Sequence, residues 1–184
     1  WDDAILQGPH LHVSTPLYKQ PNESMKNNLD WTSTDLEALS PSAQPITQYK
    51  PAGDRATYDR LYTHWDSSPA RDHYRVSWRT QVPLTGERTL TPSIIPPGSA
   101  HVDGLYSASA PQHHEDGLVL ASGALSSLLV DFYARSRGFS HIRSSAANSL
   151  PTISPASPLA LRVRYRTLRL NCLTNADADL WAEC

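Results

Sequence analysis

The stretch Tyr74–Gly98, YRVSWRTQVPLTGERTLTPSIIPPG, decides how this chain is read. It opens in strict alternation, with Tyr74, Val76 and Trp78 on one side of an extended strand and Arg75, Ser77 and Arg79 on the other. Pro83-Leu84-Thr85-Gly86 reads as a turn, because proline presets φ and glycine supplies a positive one. A second extended run goes from Arg88 to Ile95 and stops at Pro96-Pro97-Gly98. Pro92 removes a ladder donor, so this second strand belongs at a sheet edge or breaks there. The expected product is a hairpin with one apolar face for a core and one arginine-bearing face left over.

At 184 residues the chain suits one domain with a core of its own. Fifteen Pro against eight Gly, with abundant Ser and Thr, indicates many irregular connections and an α+β class. The chain begins at Trp1 without Met, which fits a piece of something longer. No apolar run approaches the roughly 20 residues of a membrane-spanning helix, and no signal peptide is visible. A cytoplasmic protein with no membrane partner is therefore expected. Cys172 and Cys184 read as reduced thiols in that compartment.

The net charge of −2 argues against an autonomous nucleic-acid binder, but its distribution is uneven. Residues 1–70 carry −4, residues 71–169 carry +5, and residues 170–184 carry −3. All the basic residues of the middle block are arginine, the side chain suited to bidentate recognition of phosphate and guanine edges. Arginines decorating a solvated face would give the same count.

Further along the chain, His10–Val13 alternates like a short strand, and Ile46–Tyr49 reads as a brief extended piece. His10 and His12 lack a third ligand at metal spacing, so ordinary strand histidines are expected. Thr34 or Asp35 is placed to cap a short helix through Leu39. Asp54–Trp65 fits a helix whose stripe of Tyr58, Leu61, Tyr62 and Trp65 belongs to the core. Ala100–Ser109 is extended, and Pro111–Asp116, with His113 and His114, is a loop. Gly117–Arg137 reads as one long helix with Leu118, Ala121, Leu125, Leu128 and Phe132 on its apolar stripe, widened by Leu129 and Val130. Arg135 and Arg137 suit its last turn and Gly138 its stop. Residues 152–158 have linker composition. Leu159–Leu170 fits a strand by alternation and also a helix, on which Arg162, Arg166 and Arg169 form a basic stripe.

Several of these segments carry a family resemblance. Arg75-x-x-Trp78-Arg79, Glu87-Arg88-Thr89-Leu90 and Ile94-Ile95-Pro96-Pro97-Gly98 resemble the target-recognition region of large adenine-N6 DNA methyltransferases. These are the type IIG restriction–modification methylases and their phage-defence relatives. Gly8-Pro9-His10, Pro16–Lys19, Phe132–Arg135, Ser140–Arg143, Leu150-Pro151, Arg169–Thr174 and Asp179–Trp181 extend the likeness over most of the chain. Ser126-Ser127 stands where the family has an Asn-Ser-like pair.

The resemblance implies a small, mostly antiparallel sheet with the hairpin at its centre, packed against the long helix and a C-terminal helix. It makes residues 1–151 the recognition-like domain and 159–184 a helical segment of the same piece, with Leu159–Leu170 helical. Its partners would be duplex DNA and the catalytic methyltransferase domain of the parent chain. Arg79 and Arg88 lead as DNA contacts, followed by Arg75, Thr89 and Gln81, while Arg137, His141 and Arg143 would hold the backbone. For Arg88, bracing the fold is an equal alternative.

The chain has no glycine-rich S-adenosylmethionine loop and no (Asn/Asp)-Pro-Pro-aromatic step, and Ile95-Pro96-Pro97-Gly98 lacks the flanking residues to act as one. No phosphate loop and no zinc helix occur. The expectation is a non-catalytic piece with no cofactor of its own, S-adenosylmethionine being implied for the parent. The competing expectation is a protein-interaction module that docks other domains.

Overall fold

In the computed structural model, which describes residues 1–65, 67–109 and 114–184, short strands and irregular chain come first and most of the helices last. The strands are β1 (Ile5–Leu6), β2 (Lys19–Pro21), β3 (Trp31–Ser33), β4 (His64–Trp65), β5 (Ser68–Pro69), β6 (Arg75–Arg79), β7 (Ser93–Ile95), β8 (Ala100–His101) and β9 (Leu105–Ala108). The helices are α1 (Arg55–Leu61), α2 (Glu115–Leu125), α3 (Leu128–Ser136), α4 (Ser144–Ala147), α5 (Ala160–Asn171) and α6 (Ala178–Glu183). The class is α+β, as expected. All the small sheets are antiparallel except the β1–β8 pair, which is parallel.

β6 is the middle strand of the sheet β7-β6-β9. Arg75 lies opposite Ile95, Ser77 opposite Ser93, and Trp78 opposite Tyr106. The hairpin therefore forms in a shortened version. β7 starts directly after Pro92 and occupies an edge, where a missing donor costs nothing. Arg88–Thr91 does not extend it, because the Thr89 and Leu90 N–H groups donate to the Asp131 carboxylate instead of a strand.

The expectation of a left-over arginine face is corrected. Directly opposed residues share a sheet face, so Val76 lies with Ile94, while Arg75 lies with Ile95 and Arg79 with Leu105. The first face joins Leu118, Val119, Val130 and Leu168 in the main core. The second is covered too, by the cluster of Leu6, Leu11, Ile95 and Leu105. Arg75 is consequently buried, and its guanidinium donates to the Ser99 carbonyl and hydroxyl and to the His73 carbonyl. Gly98 makes this return possible: its φ of 87° is one a side chain resists, and a Cβ there would press on Asp2.

The single long helix is also corrected. It breaks at Ser126-Ser127 into α2 and α3, bent by 63°. The Ser127 hydroxyl accepts from Val130 N–H and donates to the Ala124 carbonyl, so one side chain caps both ends. After the bend, Val130, Asp131 and Ala134 face inward, while Leu128, Leu129 and Phe132 are 73%, 83% and 70% exposed. Among the described residues no single helix is long and apolar enough to cross a membrane.

Three smaller expectations change. No helix forms at residues 34–39; the Asp35 carboxylate instead accepts the Glu37 N–H in a turn. α1 is short, and its stripe is not core, since Leu61 is exposed and Tyr58 and Tyr62 are half-buried. His10 sits in a 3-10 turn rather than a strand. Its Nδ1 accepts the Gln7 N–H, so Nε2 carries the proton and donates to the Ile46 carbonyl. Burial lowers the pKa of this ring. Of the expected histidine loop, His113 lies outside the described residues, and His114 directly precedes α2.

The C-terminal segment is helical and shares the main core. α5 crosses α2 so closely that a Cβ on Gly123 would overlap Thr167 and Val163. Asn171 ties it to the sheet edge by accepting the Ile94 N–H and donating to the Thr167 carbonyl. Residues 152–158 are irregular, as their composition suggests. Both cysteines are free thiols, and burial pushes Cys172 up to about 12 and Cys184 to about 11.

Asp177 is buried at the N-terminus of α6 and accepts from the Thr174 backbone and hydroxyl, yet desolvation raises its pKa to about 6. A free aspartate titrates near 3.9, so the folded state binds this proton more tightly. The resulting stabilisation is full below about pH 4 and lost by about pH 6, a loss of roughly 2–3 kcal/mol. Asp177→Asn keeps an acceptor but cannot titrate. Urea denaturation at several pH values should show the wild type losing stability relative to the variant across that window. Parallel curves for the two proteins would exclude Asp177 as the group responsible.

Candidate functional site

Beyond Arg79 the β6 chain continues as Thr80–Val82 and is zipped to Ser140–Ile142. The Ile142 N–H donates to the Thr80 carbonyl at 2.8 Å, and the Val82 N–H to the Ser140 carbonyl at 3.2 Å. This brings Gln81 and His141 directly opposite each other, although they are 60 positions apart in sequence. Both side chains are exposed. In extended chain, residues two apart share a face, which sets Arg79 beside Gln81 and Arg143 beside His141. All four line one cleft of about 540 Å³, together with Asp103 and Gly104.

The four differ in freedom. Arg79 Nε donates to the Gly8 carbonyl at 2.7 Å and Nη2 to the Leu11 carbonyl at 2.8 Å, so this side chain anchors the N-terminal segment while lining the cleft. Burial lowers its pKa. Arg143 pairs with Asp103 at 3.4 Å, but both are largely in water, where such a pair is worth about 0–1 kcal/mol and exchanges readily for another anion. From sequence, Asp103 reads only as a polar edge of the extended run Ala100–Ser109. The loop between β8 and β9 brings it to Arg143.

The remaining expected site residues lie elsewhere. Arg75 and Thr89 are buried and offer no surface to a ligand. Arg88 braces the fold: Nε donates to Asp131 and Nη2 to the carbonyl of Ser126, the C-cap of α2. Asp131 is the hub, since one oxygen accepts from Arg88, Thr89 N–H and Leu90 N–H, while Arg135 approaches the other at 3.7 Å. Arg135 also donates to Thr89 Oγ1 and the Gly86 carbonyl. Arg137 is exposed at the end of α3 with its guanidinium over the Phe139 ring, and it does not line the cleft. Among the described residues no group of three His, Cys, Asp or Glu side chains is arranged to hold a metal ion.

No protein-family model matches this chain, and no curated protein sequence is significantly similar to it.

The brace and the cleft separate cleanly by mutation. Asp131→Ala takes the carboxylate from the largely buried Arg88 guanidinium and leaves two buried N–H groups without their acceptor, and should cost about 3–5 kcal/mol in urea denaturation. Asp131→Asn, which keeps one acceptor oxygen, should cost less. Gln81→Ala and Arg143→Ala, at exposed positions, should each stay within about 0.5 kcal/mol of wild type. A destabilised Arg143→Ala would mean that its pair with Asp103 is structural.

Proposed function

We propose that this chain is a non-catalytic DNA-recognition region, and that it meets duplex DNA at the cleft of Gln81, His141, Arg79 and Arg143. The observation that carries the reading is the cross-strand pairing of Gln81 with His141, which sets an amide and an imidazole side by side between two arginines. An exposed amide can both donate to and accept from a base edge in the major groove, most favourably adenine. Arg143 and His141 are suited to phosphate oxygens, which set register without reading sequence. In the recognition role Asp103 is a placeholder anion that Arg143 gives up when a phosphate arrives. Arg79 holds the cleft wall, while Arg88, Thr89 and Arg75 brace the fold elsewhere.

The resemblance to adenine-N6 methyltransferases fits this division. The catalytic domain and its S-adenosylmethionine would belong to the parent chain, working in the cytoplasm and closing the other side of the DNA. A docking role is favoured by a separate observation, the exposed Leu128, Leu129 and Phe132 on α3. The two roles are compatible, since Leu128, Leu129 and Phe132 do not line the cleft.

Fluorescence anisotropy with a mixed-sequence duplex, titrated over salt, tests the reading. Wild type should bind at low salt with a log–log slope near −0.9 for each phosphate neutralised. Arg143→Ala should weaken binding to all sequences and reduce the slope by about 1. Gln81→Ala in the parent enzyme should relax preference at one base pair, a loss of about 1–3 kcal/mol of discrimination. Binding that is insensitive to salt and to both substitutions would end the proposal.

A further inference from the structure

α5 is amphipathic in an unusual sense: its outward half is not simply polar. Ala160, Thr167, Leu168 and Asn171 face the core. On the outward half, Leu161 and Leu170 are 66% and 60% exposed, and Tyr165 is 54% exposed. At 3.6 residues per turn, Arg169, Arg162 and Arg166 fall between Leu161 and Tyr165 on one side and Leu170 on the other. All three arginines are exposed, and among the described residues none has a carboxylate partner. Arg164, by contrast, is turned toward α2 and paired with Asp116. The apolar edge continues onto α6, where Trp181 is 44% exposed with its ring centroid 6.3 Å from that of Tyr165. Arg169 lies over the Tyr165 ring at 5.7 Å, which orders both side chains.

An arginine ridge between apolar margins is an unmatched surface in two respects. It needs negative charge along its middle and apolar atoms along its edges. A duplex backbone supplies only the first and would leave Leu161, Leu170 and Trp181 in water. Tyr, Trp and Arg together are also the residues that most often dominate protein–protein interfaces. We infer that this α5–α6 face is a docking surface for a protein partner presenting an acidic amphipathic helix, with a carboxylate ridge flanked by leucines. This surface is separate from the Gln81–His141 cleft, and its assignment does not depend on DNA binding there.

The test uses this chain and, as probe, a synthetic amphipathic helix with a glutamate ridge between leucines, followed by fluorescence anisotropy. The control probes are the same helix with lysine for glutamate and a mixed-sequence duplex. The acidic helix should bind, and the lysine helix should not. The triple variant Arg162→Glu, Arg166→Glu, Arg169→Glu should weaken binding at least tenfold. Leu161→Ser with Tyr165→Ser should also weaken it at least tenfold with the charge intact. All these positions are exposed, and unchanged circular dichroism and melting would confirm intact folds. Equal binding of both helices, or no binding of either, overturns the inference. So does a duplex that binds through the three arginines but ignores the Leu161 and Tyr165 changes, since the face would then be a nucleic-acid surface. Self-association in sedimentation that the triple variant abolishes also overturns it, by making a second copy the occupant.

Discussion

A strand buried on both faces must satisfy every polar group it carries, and β6 carries two arginines. Arg75 reaches the Ser99 and His73 carbonyls, and Arg79 reaches those of Gly8 and Leu11. A guanidinium is never deprotonated in practice and presents its donors in a rigid fork. Burying one therefore obliges the surrounding chain to bring carbonyls to it. That obligation shapes the N-terminal third. The 3-10 turn at Gly8–His10 and the return through Pro96–Ser99 place backbone oxygens where these two side chains end.

A second polar hub does the same for the loop between β6 and β7. Residues 80–92 contain little regular structure, so their N–H groups need partners outside a ladder. Asp131 supplies one oxygen to two of them and to Arg88, while Arg135 takes the carbonyl of Gly86. Asp131 can reach this loop only because the helix breaks at Ser127, which swings α3 away from the line of α2. The break thus has two consequences. It fixes the loop between β6 and β7, and it leaves Leu128, Leu129 and Phe132 in solvent.

The cleft and the outward face of α5 differ in chemistry. The Gln81–His141 cleft is polar and lightly charged, built where two extended segments meet. The outward face of α5 carries an arginine ridge between apolar margins, one of which continues onto α6 at Trp181. The uneven charge along the sequence maps onto this separation: of the arginines in the middle block, Arg71, Arg75, Arg79 and Arg88 are turned inward, while Arg143, Arg162, Arg166 and Arg169 face out. A count of basic residues could not have distinguished the two sets, because an arginine held inside by protein acceptors and one exposed to solvent look alike in sequence.

By itself the sequence determined the local geometry. Alternation from Tyr74 to Arg79 specified an extended strand, Pro92 specified an edge, and Gly98 specified a backbone turn that other residues resist. These are properties of one residue and its immediate neighbours. Tertiary structure alone decided which faces were open. Strand period tells two faces apart but not whether both will be covered, and here Leu6 and Leu11, some seventy residues earlier, cover the second one. It also decided between strand and helix for Ala160–Asn171, where both periods fit and packing against Gly123 selects the helix. The candidate site was legible only in part. Gln81 could be picked out in the hairpin and His141 and Arg143 after the long helix, but their meeting depends on hydrogen bonds between segments about 60 positions apart. Arg88 was ambiguous for the same reason, until Asp131 was brought beside it.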